Sequence, residues 1–236
     1  MALNLGVFDS VVPTTKLDRV IRTWTAADIT GRQGDAVRAH SIRAAAIAHV
    51  ICMELHAQRR IPEWSVLGAL LHDVFKLRQL KVIISNPSNL MAFLDTLSVN
   101  QGRFLTARGW NASIVNAASA AGHEILPRFI RRPSSIPLEC RIVFYADLVV
   151  SNGGFVTLID RIASARERYA RIDVEGQTFY HLDDRTYTVL ERFADAVEND
   201  FAHCVNLTRQ AFHAMIVDGA EHFLAHAGHR LSRSSP

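Results

Sequence analysis

Apolar residues recur at intervals of three and four along most of the chain, and runs that strictly alternate apolar with polar residues are short and few. The spacing predicts helices over about 16–29, 35–58, 63–78, 89–107, 111–122, 137–150, 154–170 and 184–227, the last one interrupted. End signals agree with these bounds: Gly34-Asp35 precede the second helix, Pro62 opens the third, Asn111 and Pro137 precede two others, and Gly153-Gly154 follow the 137–150 stretch. Residues 171–182, IDVEGQTFYHLD, break the period and are expected to form a loop or a small hairpin. No internal repeat or low-complexity tract is present, which excludes a solenoid. The expectation is an all-α fold with residues 1–236 forming a single domain.

Composition narrows the class. With 49% hydrophobic and 21% charged residues in 236, disorder and a coiled-coil fibre are excluded. No apolar run approaches the roughly 20 residues of a membrane span, and the start MALNLGVFDSVVPTTK has no basic segment ahead of an apolar block. Cys52, Cys140 and Cys204 are odd in number, far apart and outside any C-x-x-C pattern, so they read as reduced thiols of a cytoplasmic protein. A net charge of +3 is too small to imply nucleic acid, and Arg59-Arg60 and Arg131-Arg132 are short clusters without interleaved aromatics. His222, His226 and His229 share a helix face, but no carboxylate accompanies them in a metalloprotease pattern, and they are expected as a solvated or packing stripe.

Two apolar segments contain acids that a simple core would exclude. Asp147 lies inside IVFYADLVV, and His72-Asp73 interrupt VLGALLHDVFKL. A buried carboxylate left ionised and alone costs several kcal/mol, so each must be protonated, paired, hydrogen-bonded or bound to a cation. A His-Asp doublet by itself carries little weight. The weight comes from its company: His40 on the preceding helix 32 positions before His72, Lys76 one turn after the doublet, and Asp147 a further 74 positions after Asp73.

In this order and spacing the chain resembles the HD superfamily of metal-dependent phosphohydrolases, whose pattern is a His, a His-Asp doublet and a distant Asp. The matching residues are His40 in RAHSIRAA, His72-Asp73 in ALLHDVFK and Asp147 in FYADLVV. The resemblance spans about 36–150 and implies an HD-type helical bundle, with residues of about 151–230 as a C-terminal helical extension. It implies that His40, His72, Asp73 and Asp147 hold a divalent metal ion, and mixed nitrogen and oxygen donors favour Mn, Fe, Co, Ni or Zn over Mg. The implied reaction is hydrolysis of a phosphate ester of a small molecule, such as a nucleotide, by metal-activated water, with Asp73 in the catalytic set.

Further roles follow from the same resemblance. Lys76 follows Asp73 by three, on one face of the predicted helix, and is assigned to catalysis and to a substrate phosphate; Val74-Phe75 stand where Lys-bearing branches have Ile-Gly. Arg43, three residues after His40, is a candidate phosphate clamp, and His123 a candidate substrate contact. Members with two metals supply two His between the doublet and the last Asp, whereas this chain has only His123 there. The acidic pair that alarmone hydrolases carry after the doublet is missing from VFKLRQ, which disfavours that substrate. The alternatives are a di-iron oxygenase on the same scaffold and a non-catalytic regulator that binds a nucleotide or a protein. No membrane partner is expected, nucleic acid is disfavoured, and a homo-oligomer is compatible with the reading.

Overall fold

The computed structural model describes residues 5–57, 60–85, 90–121, 136–151, 153–169, 173–174, 177–178 and 184–232. The fold is all-α, as the periodicity predicts. After a 3-10 turn at Leu5–Phe8 come α1 (Thr14–Ala26), α2 (Gly31–Glu54), α3 (Ile61–Leu71), α4 (Lys76–Ser85), α5 (Leu90–Ala107) and α6 (Ala112–Ser119). Then follow α7 (Leu138–Leu148), α8 (Leu158–Tyr169), α9 (Asp184–Cys204) and α10 (Arg209–Ser232). The only sheets among the described residues are two antiparallel ribbons, β1 (Val150–Ser151) with β2 (Gly154–Phe155) and β3 (Asp173–Val174) with β4 (Gln177–Thr178). The second is the hairpin allowed for at 171–182; the first shortens the helix expected from 154. Among the described residues no helix is long and apolar enough to cross a membrane.

Helix α2 is central because its second half has no solvent stripe. From Ala44 to Ala48 five consecutive side chains are fully buried, and a helix apolar on every side has to be surrounded. It packs against α3, α7 and α10, while α3 also meets α6 and α7. Small residues permit these approaches. A Cβ built on Gly68 of α3 would come within 2.7 Å of Ala117 Cβ on α6, and one on Gly219 of α10 within 2.9 Å of Val50 on α2. Local chemistry sets the ends: the Asn111 side chain accepts from the Ile114 N–H at 3.0 Å and caps α6.

The C-terminal helices are fastened to α7 by a polar knot that is buried at Tyr145 and Glu198 and reaches the surface at Arg209 and Asp195. Tyr145 Oη donates to Glu198 of α9 at 2.6 Å. Arg209, opening α10, donates to the other oxygen of Glu198 and to Asp195. Glu198 is 4% exposed, so its charge is tolerable only because both oxygens have donors. Burial first, and then the Glu198 charge, push the Tyr145 phenol far above its ordinary range, so it stays a donor.

One predicted helix is corrected. The segment expected as a single helix over 63–78 is two, α3 and α4, and residues 72–75 form a turn between them. Lys76 N–H bonds to the Asp73 carbonyl at 2.9 Å and Val74 N–H to the Leu71 carbonyl at 3.3 Å, both three-residue spans that take the place of the four-residue ladder. Val74 and Phe75, 1% and 5% exposed, anchor the turn in the core. Hence Asp73 and Lys76 do not share a helix face; they bracket a turn.

Candidate metal centre

Four elements bring His40, His72, Asp73 and Asp147 to one place. His40 projects from the first half of α2, His72 is the C-cap of α3, Asp73 opens the turn, and Asp147 stands in the last turn of α7. His40 Nε2 is 2.8 Å from Asp147 Oδ1 and His72 Nε2 is 3.2 Å from the same oxygen. Asp73 Oδ2 lies 3.6 Å from His72 Nε2 and 4.0 Å from His40 Nε2. The imidazole centroids are 5.2 Å apart. Neighbouring helix residues diverge by about 100°, so the break after α3 is what lets both members of the doublet reach a common point.

The site has a closed side and an open side. The His40 and His72 side chains are 7% and 1% exposed, whereas those of Asp147 and Asp73 are 18% and 22% exposed. A solute therefore approaches from the carboxylates.

The chemistry of the donor set demands positive charge. His72 Nδ1 lies 2.7 Å from the Ala69 carbonyl, which can only accept, so Nδ1 carries a proton and Nε2 of a neutral ring presents its lone pair to the carboxylates. Lone pairs and anionic oxygens this close repel one another unless a cation or a proton lies among them. In the metal-free protein the proton serves. Burial opposes the charged ring, but Asp73 and then Asp147 override it and raise His72 to about 9. Asp147 is held well below the usual carboxylate range despite its burial, through the charge of His72 and the hydrogen bonds of His40 and His72. Asp73 is lowered too, against its burial, first by Lys76 and then by the two histidines.

The donor atoms of His40, His72 and Asp73 all lie within 4.8 Å of one another, a grouping that can hold a metal ion. Two imidazole nitrogens and a carboxylate suit a divalent cation, with Asp147 hydrogen-bonded to both rings beside them and the Ala69 carbonyl orienting His72.

The remaining expected residues distribute as follows. Lys76 opens α4, half-buried, with its charge close enough to Asp73 to lead the groups that lower that carboxyl. Arg43 is half-buried on α2, three residues after His40. His123 lies outside the described residues. Arg38, on the other side of His40, is taken up by the Ile29 carbonyl and Asp35. On α10, His222 and His226 are exposed with ring centroids 3.8 Å apart, and His226 Nδ1 donates to the His222 carbonyl. One residue that the sequence did not single out is Gln101 of α5, 6% exposed, whose Nε2 is 2.9 Å from the His72 carbonyl. Nothing in the local run SVNQGRF marks it.

Set against known protein families, curated proteins and solved structures, the chain finds no match.

Proposed function

We propose that the protein is an HD-type metal-dependent phosphohydrolase acting on a phosphate ester of a small molecule, such as a nucleotide. The observation that carries this reading is the convergence of His40, His72, Asp73 and Asp147, four residues spread over 107 positions, on one partly open point. A divalent cation bound there supplies a Lewis acid for a phosphoryl oxygen and lowers the pKa of a water molecule. Mn, Fe, Co, Ni and Zn suit the mixed donors better than Mg.

The chain's own residues divide the remaining work. His40 and His72 are the fixed, buried donors; the Ala69 carbonyl sets the His72 tautomer. Asp73, the most exposed of the four, accepts a proton from a nucleophile arriving on the open side. Lys76 beside it offers positive charge to a phosphate, and Arg43 a planar fork for a second anionic group.

The experiment is a phosphate-release screen over nucleotides and sugar phosphates with Mn, Co, Ni, Mg or a chelator, run beside Asp73→Ala. Activity is expected with at least one of the metals, and is lost with chelator and in the variant. Turnover that survives both conditions removes the proposed chemistry.

A further inference from the structure

We infer that Gln101 is a positioning residue for the metal centre, holding the end of α3 where His72 meets Asp147; this rests on the metal-binding reading above. The His72 carbonyl belongs to the last turn of a helix that stops. The ladder that would have used it is replaced by the Val74-to-Leu71 and Lys76-to-Asp73 bonds of the turn, which pass it over. A carbonyl stranded at a helix C-terminus needs a donor from elsewhere.

Gln101 provides it from α5, 29 residues away in sequence, at 2.9 Å. The second hydrogen of the same amide points to the Ala118 carbonyl in the last turn of α6 at 3.3 Å. Two acceptors fix the orientation of the carboxamide, since only the NH2 can face two carbonyls. One buried side chain thus ties the ends of α3 and α6 together. It does so at the backbone of a residue whose ring is itself pinned to Ala69. With backbone and ring both fastened, His72 Nε2 has little freedom other than to face Asp147 Oδ1.

The donor's removal has a directed effect. A methionine at 101 fills similar space but offers no N–H, so the His72 carbonyl must find another partner, and the turn and the ring attached to it shift. Hydrogen-bond partners of ligand side chains change metal affinity by about 10- to 100-fold, and Gln101, which holds the backbone of such a ligand, is expected near the lower end of that range.

The test compares full-length wild type, Gln101→Met and Val197→Ala, a core truncation on α9, which carries none of the four site residues, by Co2+ titration well below each melting temperature. Affinity and the visible Co2+ absorption bands are both read. Gln101→Met is expected to bind Co2+ at least tenfold more weakly with displaced bands, while Val197→Ala keeps wild-type affinity and bands even when less stable. If Gln101→Met does not fold, Gln101→Glu, equal in length but with an acceptor in place of the donor, is expected to weaken binding in the same way. Wild-type affinity and bands in the folded variant overturn the positioning role while leaving the metal centre intact. Absence of Co2+ binding by the wild type itself overturns the metal reading, and this inference with it.

Discussion

Gly68→Ala should damage both stability and the metal centre, through the spacing of three helices. The added Cβ would stand 2.7 Å from Ala117 Cβ, 3.2 Å from Val143 Cγ2 and 3.3 Å from the Ala117 carbonyl carbon. Apolar carbons prefer about 3.5–4.0 Å, so α3 and α6 must separate by about 1 Å. Overpacking of this kind costs about 1–3 kcal/mol, offset by the roughly 0.5–1 kcal/mol that alanine gains over glycine inside a helix. With the clash at 2.7 Å placing the cost in the upper part of that range, at about 2–3 kcal/mol, a net loss of about 1–2.5 kcal/mol corresponds to a fall in Tm of roughly 2–10 °C for a chain of this size. His72 follows Gly68 by one turn and Asp147 follows Val143 by one turn, so the separation widens the 3.2 Å gap between His72 Nε2 and Asp147 Oδ1. Thermal melts and Co2+ titrations of Gly68→Ala, Ala117→Gly and the double variant check this. Ala117→Gly alone loses about 1 kcal/mol of helix propensity and a buried methyl. In the double variant it removes the nearest clash, so the pair should be more stable than the sum of the single losses predicts, by about 1–2 kcal/mol. Strict additivity, or a Gly68→Ala protein as stable as wild type, would refute the contact as the cause.

Metal affinity should depend on pH with a defined sign. His72 of the metal-free protein holds its proton up to about 9 because Asp73 and Asp147 outweigh its burial, and a cation must displace that proton. Co2+ affinity is therefore expected to climb by up to about tenfold per pH unit from 6.5 toward 9 and then level, and a flat profile in titrations across that range counts against the assignment. Stability of the metal-free protein runs the other way: the His72 pKa is above its ordinary 6.5, so its contribution is complete below 6.5 and is lost as pH rises through about 9. Tyr145→Phe removes the 2.6 Å bond to buried Glu198 and should cost about 1.5–3 kcal/mol, the range for a hydrogen bond to a charged group. Calorimetry should record a Tm lower by roughly 3–12 °C. Co2+ affinity should hold, because Tyr145 and Asp147 are two positions apart and point to different sides of α7; an unchanged Tm would show the knot to be dispensable.

Much of the candidate centre was legible in the chain because burial of charge is costly wherever it happens. Asp147 in IVFYADLVV and His72-Asp73 in GALLHDVF stood out as groups that apolar surroundings would not accept alone. The helices were legible for a similar reason: the interval of three and four is a property of each segment, and an Ala-rich stretch such as VRAHSIRAAAIAH needs no distant partner to declare itself helical.

What the local pattern could not contain is where α3 stops. VFKLRQ continues with residues that suit a helix, and no Gly or Pro marks the break at 72–75. The break coincides with the capture of the His72 carbonyl by Gln101, a contact made only once α5 has packed against α4 and α6. The same holds for the clearance at Gly68 and for the knot of Tyr145, Glu198 and Arg209, each of which joins residues far apart in the chain. Periodicity and burial cost act within a segment, so most of the helices and the chemical character of the four site residues are set locally. Distances between helices are set by packing and by hydrogen bonds across the bundle, so the meeting of those four side chains, and its geometry, comes from the folded whole.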